Sequence, residues 1–283
     1  MMNLRRFFFV LLTVCCFLSA FADRPKIGLA LSGGGAKGAA AIGALKVIEE
    51  AGVKVDYIAG TSIGAVIGAL YASGYTTAEL EEMIVSQNLL EAFQGHRVEE
   101  KLKSLLAERG VKKFKDTTIP FCCVAVDIDD MSEVLLANGS LHKAVLASMS
   151  IPEIYEPVEW KGMRLADGGL LNNLPVDVVR DMGADIVIAI DLQQGKGEGL
   201  GFSPQKLFGL GGLIDWVFTR PDKEKYEVNS QSADIYIHPD LGNFTAFNFG
   251  RYSCRLMLKK GEDEAREHWE ELMGVRQEYL LQP

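Results

Sequence analysis

Short uncharged runs and longer amphipathic runs alternate along the chain, with glycine-rich junctions between them. Residues 26–31 (KIGLAL), 57–60 (YIAG), 121–126 (FCCVAV), 186–190 (IVIAI) and 235–237 (IYI) are brief and almost wholly apolar. Unbroken apolar runs of this length predict strands buried on both faces. Between the first two, Ala41, Ala44, Leu45 and Ile48 recur at i, i+3, i+4 and i+7, which predicts a helix ended by Gly52. A second helix is predicted over 63–73, where Ala65, Gly68, Ala69 and Ala72 form a stripe narrow enough to lie close on a sheet. Thr76 and Glu79 have the spacing of a capping box and predict a third helix to about residue 87. Further helices are predicted over 141–149 and 176–182, a charged exposed one within 89–115, and a charged terminal one over 262–278; residues 164–166 read as a short strand. Strands alternating with helices at this spacing predict an α/β fold of three layers, α/β/α, around a mainly parallel central sheet.

The first residues do not fit that alternation. Arg5 and Arg6 precede an uncharged run over 7–18, and Ser19-Ala20-Phe21-Ala22 follows. A basic flank, an apolar run and an Ala-x-Ala end predict a secretory signal peptide, residues 1–22, cut after Ala22. The run is short of the ~20 residues that span a bilayer, which disfavours an uncleaved anchor. Lipidation at Cys15 is disfavoured by the bulk of Val14. Export to the periplasm, the outer membrane or the medium is expected, with residues 23–283 forming one domain.

Composition then narrows the function. The 283 residues are 48% hydrophobic and carry a formal charge of −9. Losing Arg5 and Arg6 leaves 27 Lys and Arg against 38 Asp and Glu, a net of −11. Binding to nucleic acid is not expected, because phosphate tracking needs clustered basic residues. The mature chain keeps Cys122, Cys123 and Cys254, an odd count with two adjacent in an apolar run, which predicts buried thiols and not disulfides. The four histidines are scattered and no Cys-x-x-Cys pair is present, so no metal site is expected.

Three glycine-bearing junctions carry candidate chemistry. The first, Gly33-Gly34-Gly35-Ala36-Lys37-Gly38, lies between a strand and a helix, where converging backbone N–H groups and the helix terminus suit a phosphate or an oxyanion. Gly33, Gly35 and Gly38 also match Gly-x-Gly-x-x-Gly, so a dinucleotide-binding oxidoreductase is an alternative. The acid it needs would be Asp56, which precedes the second strand and does not end it. The second junction, Gly60-Thr61-Ser62-Ile63-Gly64, has the form of a nucleophile elbow, a sharp turn that lifts a serine above the sheet. A helix-capping serine would need neither glycine. The third is Asp167-Gly168-Gly169, which alone would read as a tight turn.

A nucleophilic serine needs a base within hydrogen-bonding reach. His238, after the strand 235–237, is one candidate; His96 and His268 lie in charged stretches, and His142 follows the N-cap candidate Ser140. Asp127, Asp167 and Asp191 all follow apolar strands. These residues alone do not rank the candidates.

GGGAKG at 33–38, GTSIG at 60–64 and DGGLLNNLP at 167–175, with SMSIPEIYEPV at 148–158, together resemble the patatin-like phospholipase family in a bacterial, exported form. The likeness runs over about 26–191. It implies a Ser–Asp dyad of nucleophile Ser62 and base Asp167, and an oxyanion hole from Gly33, Gly34 and Gly35 with the N–H of Ile63. Lys37 takes the basic place in the glycine motif, and Gly38, Gly60, Gly64, Gly168 and Gly169 complete the motifs. The implied activity is hydrolysis of lipid esters, as a phospholipase A, lysophospholipase or carboxylesterase, with no cofactor. A catalytically silent lipid-binding scaffold is a further alternative. A lipid substrate implies contact with a membrane surface. Seven glycines within 195–212, together with Phe202, Leu207, Phe208 and Leu210, predict a lid or membrane-contacting loop that Trp216, Phe218, Phe244, Phe247 and Phe249 could extend. The negative net charge predicts that insertion of apolar groups outweighs attraction to anionic lipid.

Overall fold

The computed structural model describes residues 24–86, 97–152, 154–194 and 223–280. The expected signal peptide, His96, the glycine-rich stretch 195–212, Trp216 and Phe218 lie outside these residues. The strands are β1 (Ile27–Leu31), β2 (Tyr57–Thr61), β3 (Phe121–Asp127), β4 (Ser132–Leu136), β5 (Val158–Trp160), β6 (Met163–Asp167), β7 (Ile186–Ile190) and β8 (Ile235–Ile237). The helices are α1 (Gly38–Glu50), α2 (Ile63–Ala72), α3 (Thr77–Val85), α4 (Val98–Glu108), α5 (Leu141–Ser148), α6 (Val176–Asp181), α7 (Lys223–Ser232), α8 (Arg251–Glu267) and α9 (Trp269–Leu280).

The strands form one sheet in the order β5-β6-β3-β2-β1-β7-β8, with β4 also on β3. β3, β2, β1, β7 and β8 run parallel; β4 and β6 pair antiparallel with β3, and β5 pairs antiparallel with β6. The uncharged runs are buried on both faces because alternate residues enter different cores. Leu29, Leu31, Ile58, Cys123, Ile188 and Ile190 join the larger one, with α1, α2, α3, α5 and α8. Ala30, Ala59, Val124, Val187 and Ala189 join the smaller one, with α6. That period of two across a helix-covered sheet is the expected three-layer α/β/α fold.

Several boundaries differ from the sequence reading, each for a packing reason. The region 89–115 holds α4, whose Val98, Leu102, Leu105 and Leu106 are buried, so it is an amphipathic helix against the core and not a wholly exposed one. The terminal helix begins at Arg251, because Cys254, Met257 and Leu258 bury against α1, and it breaks at His268 before α9. Strands β4 and β5 are short, half-exposed partners whose pairing is fixed by β3 and β6 and not by an apolar run of their own. The capping box of Thr76 and Glu79 is present, and Cys122, Cys123 and Cys254 are free buried thiols.

α1 and α8 cross at a distance that excludes side chains. A Cβ on Gly43 would stand 2.0 Å from Leu258 O, and one on Gly261 would stand 1.9 Å from Ala40 O. Glycine-to-alanine changes inside helices ordinarily stabilise by about 0.5–1 kcal/mol. Gly274 in α9 faces open space within 4 Å and keeps that sign. At Gly43 and Gly261 the added methyl meets backbone that cannot turn aside, so the sign reverses. Gly274→Ala should raise stability by about 0.5 kcal/mol, and Gly43→Ala or Gly261→Ala should lower it by about 1–3 kcal/mol. Denaturant unfolding of the three variants checks this, and stabilisation by Gly43→Ala would show that the crossing has slack.

Candidate active site

β3 acts as a ruler for the site. Val124 pairs with Thr61 of β2 on one edge and with Leu135 of β4 on the other. The next residue, Ala125, pairs with Val134 of β4 and with Asp167 of β6. A strand has two edges, so β6 continues on the edge that β2 leaves. The parallel β2 ends there going one way, and the antiparallel β6 ends there coming back. Ser62, directly after β2, and Asp167, the last residue of β6, are therefore brought end to end.

Ser62 is the turn from β2 into α2. Its backbone is at φ 55°, ψ −122°, a left-handed conformation that is costly for a residue with a Cβ, on the order of 1–3 kcal/mol. Its side chain makes no cap bond to α2, which removes the capping reading. The turn is held from three sides. The Ser62 N–H donates to Ser148 Oγ at 3.1 Å. Ser62 O accepts from Ala65 N–H at 2.9 Å and Val66 N–H at 3.2 Å. Gly60 and Gly64 let the first turn of α2 settle onto the strand ends, since a Cβ on Gly64 would be 2.3 Å from Leu31 O and one on Gly60 2.5 Å from Gly64 O.

Asp167 is fully buried and Ser62 is 3% exposed. The Asp167 N–H donates to Ser150 O at 2.9 Å, and Oδ1 accepts the Gly169 N–H at 2.7 Å. Oδ2 is buried with no hydrogen bond of normal geometry. The Ser62 hydroxyl stands near enough to favour the charged carboxylate without forming such a bond. Catalytic contacts of this kind are often long before substrate arrives. Burial raises the Asp167 pKa to about 7, against the opposing pull of the Ser62 hydroxyl and the Gly169 N–H. Gly168 is required by the turn's closeness to β3, because a Cβ there would be 2.3 Å from Val124 O.

The glycine turn is fastened to the same place. Gly33 N–H donates to Asn173 O at 3.2 Å, Asn173 Nδ2 to Gly33 O at 3.4 Å, and Thr61 Oγ1 to Asn172 O at 2.8 Å. The segment after Asp167 thus straps both β1 and β2 to β6. Gly33 spends its own N–H in that strap. Gly34 and Gly35 N–H make no backbone bond to another described residue, and Gly35 opens a short 3-10 turn (Gly35–Lys37) leading into α1 at Gly38. Ile63 N–H is at the start of α2 and has no intrahelical partner. A Cβ on Gly38 would lie 2.5 Å from Ile63 Cγ1, so this glycine lets the two helix starts touch. Lys37 is the last residue of the 3-10 turn and half-buried.

The other base candidates are placed elsewhere. His238 is at the end of β8, three strands from β2, or about 14 Å of sheet at ~4.8 Å per strand. Its Nδ1 is 3.2 Å from Asp191 O and 3.4 Å from Asp191 Oδ2, so it serves Asp191 and not Ser62. Asp191, fully buried at the end of β7, also accepts the hydroxyls of Tyr226 and Tyr236 and the Gln193 N–H. Burial alone would raise its pKa, but His238 and the two tyrosines hold it below the ordinary value. Asp127 accepts the N–H groups of Asp129 and Arg164 with Oδ1. Asp56 is at the amino end of β2, bound to Arg24 and to the Ile27 N–H, at the opposite end of the strands from the glycine turn, which follows the carboxyl end of β1. A ribose bound at that turn is out of its reach, so the dinucleotide reading loses its acid.

Sequence reasoning missed Ser148, Thr61 and the Asn172–Asn173 strap as supports of the site. Ser148 was visible within the stretch 148–158, but nothing in its spacing marks it as the acceptor for the Ser62 N–H.

The geometry can be set beside known proteins. A family model described as patatin-like phospholipase matches residues 29–180, more than half of the chain. Mouse patatin-like phospholipase domain-containing protein 6 is 32% identical over 268 residues, covering 80% of this chain and 19% of that protein. The Drosophila neuropathy target esterase sws is 36% identical over 195 residues, covering 62% of this chain and 13% of that protein. The chain thus spans about a fifth or less of the length of these relatives. The crystal structure of VipD from Legionella pneumophila superposes with a TM-score of 0.57 at 14% identity, over 88% of this chain and 67% of that one, a likeness of fold. With the elbow, the glycine turn and the Asp-Gly-Gly turn all inside the matched span, the chain belongs to the patatin-like phospholipase family.

Proposed function

We propose that the chain hydrolyses carboxylic esters of lipids, phospholipids or lysophospholipids among them, through a dyad of Ser62 and Asp167. The observation that carries this is the contrast between two fully buried aspartates at the same end of one sheet. Asp191 is saturated with donors and stays a weak base. Asp167 has an acceptor left open beside the elbow and a pKa raised to about 7. Environments that push two like groups apart mark the base. Asp167 Oδ2 takes the proton of Ser62 Oγ as that oxygen attacks the ester carbonyl. The N–H groups of Gly34, Gly35 and Ile63 face the developing oxyanion. Each such donor is worth about 3 kcal/mol of barrier. Asp167 returns the proton to the leaving alcohol, and water, activated in turn by Asp167, releases the acyl group from Ser62. The residues of this sequence supply every step without a metal or an organic cofactor. The family supports a lipid substrate, and a lipid substrate would bring the chain to a membrane surface. Export rests on residues 1–22 alone.

Ser62→Ala should remove hydrolysis of a short-chain chromogenic ester, by at least about a thousandfold in kcat, with unfolding unchanged or slightly improved because the strained turn loses only a hydroxyl. A folded Ser62→Ala protein with full activity would sink the dyad.

Asp167 in the unfolded chain ionises near 3.8 and in the fold near 7. Between those values the folded chain holds the extra proton. The stability contributed by this carboxyl is therefore complete below about pH 4 and lost as pH rises through 7, whereas activity, which needs the carboxylate, rises over the same window. Two results are expected: kcat/KM climbs about tenfold per pH unit below 7 and levels off above, and Asp167→Asn abolishes it. Between pH 4 and pH 8, the stability of Asp167→Asn relative to wild type should improve by up to about 4 kcal/mol, at ~1.4 kcal/mol per pKa unit. A pH-independent difference in denaturant unfolding would show that Asp167 is not buried as a charge.

His238→Ala should lower stability by about 1–3 kcal/mol through loss of an Asp191 partner, and change ester turnover by less than about threefold. A hundredfold loss of kcat at full stability would restore a Ser–His reading.

A further inference from the structure

The chain is acidic overall, but its charge is segregated within α8. From Gly250 to Gly261 stand Arg251, Arg255, Lys259 and Lys260 with no acidic residue, and Glu262, Asp263, Glu264 and Glu267 follow. A helix is stabilised by acids in its first turn and bases in its last. α8 has no acid in its first turn and begins on an arginine. Arg251 and Arg255 are also a like-charged i, i+4 pair, which is unfavourable in a helix. Helix stability therefore does not account for this order.

The exposed side of the basic half is also apolar in part. Tyr252 is 75% exposed, Leu256 38%, and Phe247, just before the helix, 46%. Tyr252, Arg255, Leu256 and Lys259 follow at i, i+3, i+4 and i+7 and form one outward stripe, while Cys254, Met257, Leu258 and Gly261 face the core. Among the described residues, Lys259 pairs with Asp263 and Lys260 donates to Asp240 O at 2.7 Å, whereas Arg251 and Arg255 enter no ion pair.

This stripe is on the active-site side. Ala36 N–H, in the glycine turn, donates to Ala246 O at 2.9 Å, and Arg251 follows five residues later. Glu262 meets Lys46 at 2.8 Å and Arg266 meets Glu50 at 2.6 Å, so the acidic half of α8 lies along the far part of α1. The basic half projects back past Gly38 toward the carboxyl ends of the strands. Met131, 53% exposed between β3 and β4, projects from that same end.

We propose that Phe247 and the first half of α8, Arg251 to Lys260, dock the protein on an anionic phospholipid bilayer with the Ser62 end facing it. Guanidinium groups bind lipid phosphates bidentately, and tyrosine and leucine between them enter the headgroup level. Net charge is the wrong measure here, because attraction decays within about 10 Å and only the facing patch is felt. The proposal deepens the lipid-hydrolase reading, and binding is measured without turnover so that the two can fail separately.

The test is sedimentation of the full chain with vesicles of pure phosphatidylcholine and of phosphatidylcholine with about 30% phosphatidylglycerol, in about 0.1 M salt. Wild type should prefer the anionic vesicles, and raised salt should remove the preference. Each arginine near the surface contributes about fivefold, so Arg251→Gln with Arg255→Gln should lower binding to anionic vesicles about thirtyfold. Turnover of a soluble short-chain ester should stay within about twofold, because neither arginine touches the dyad. Tyr252→Ser with Leu256→Ser should lower binding to both vesicle types. Equal wild-type binding to the two vesicles would overturn the proposal. So would an equal loss from Lys101→Gln with Lys103→Gln on α4. If wild type binds anionic vesicles but cleaves no ester, the hydrolase reading fails and this surface stands; intact ester cleavage with indifference to vesicle charge gives the reverse.

Discussion

One edge of β3 determines where the chemistry can be. β2 occupies that edge up to Val124, and β6 takes it from Ala125. Two strands of opposite direction can share an edge in this way only by meeting end to end. Their last residues are then neighbours whatever the loops between them do. Thr61 and Asp167 are 106 positions apart in the chain and adjacent on β3. Everything else at the site is arranged to keep that junction tight. Gly168 is pressed onto Val124 O, Gly64 onto Leu31 O, and the Asn172–Asn173 backbone is bonded to Thr61 and Gly33. The proposed dyad, placed by sheet register, would need no third residue to orient it. A Ser–His arrangement would instead need the imidazole steered by a partner of its own.

The same closeness explains why Asp167 can be a base. A buried carboxylate is driven toward its neutral form unless donors compensate. Asp191, a few strands away, has two tyrosine hydroxyls, an imidazole and a backbone N–H, and remains charged. Asp167 has the Gly169 N–H and the nearby Ser62 hydroxyl, with Oδ2 otherwise open. Two identical side chains, equally buried, end on opposite sides of the ordinary pKa because the donor count differs. The Asp191 cluster also has a structural task. Leu192, the next residue, gives its N–H to Ser32 Oγ and packs against Gly34, so that anchor holds the glycine turn from below.

The fold was legible where local pattern and tertiary demand coincide. FCCVAV and IVIAI are apolar at every position, and only a strand covered on both faces uses every position, so β3 and β7 were readable to within a residue or two. Gly60, Ser62 and Gly64 were readable because a sharp turn from strand to helix leaves a spacing of its own. Asp167 was not singled out by its residues, since Asp127 and Asp191 have the same placement after an apolar strand. What separates the three is how many donors surround each, and those donors come from residues 2 to 47 positions away. The family likeness supplied what spacing could not. β4 and β5 were missed for a related reason: a half-exposed strand of 3–5 residues is recruited by its partner's edge and needs no pattern of its own. The start of α8 was missed because its buried stripe, Cys254, Met257, Leu258 and Gly261, is sparse and set among four basic residues, so the helix was read only from its acidic half onward.

Those four residues also show the limit of averages along a chain. A net charge sums over residues that no single surface presents together, so it does not by itself decide how one face of the molecule would meet an anionic lipid. The structure sorts the charges by position. Glu262 of the second half of α8 meets Lys46 and Arg266 meets Glu50 along the α1 side, while Arg251 and Arg255 are left at the carboxyl end of the sheet. An acidic surface resists loose association with its surroundings, while the basic stripe, as the proposed docking surface, would restrict attraction to a single orientation. In that proposed orientation the glycine turn, which Ala246 covers from the α8 side, and Ser62, which is almost wholly buried, would face the bilayer. The strained turn at Ser62 is stiff, because it is set by backbone contacts at Gly60 and Gly64, so on the proposed reading Ser62 would not reach outward and a lipid ester would have to be delivered to it.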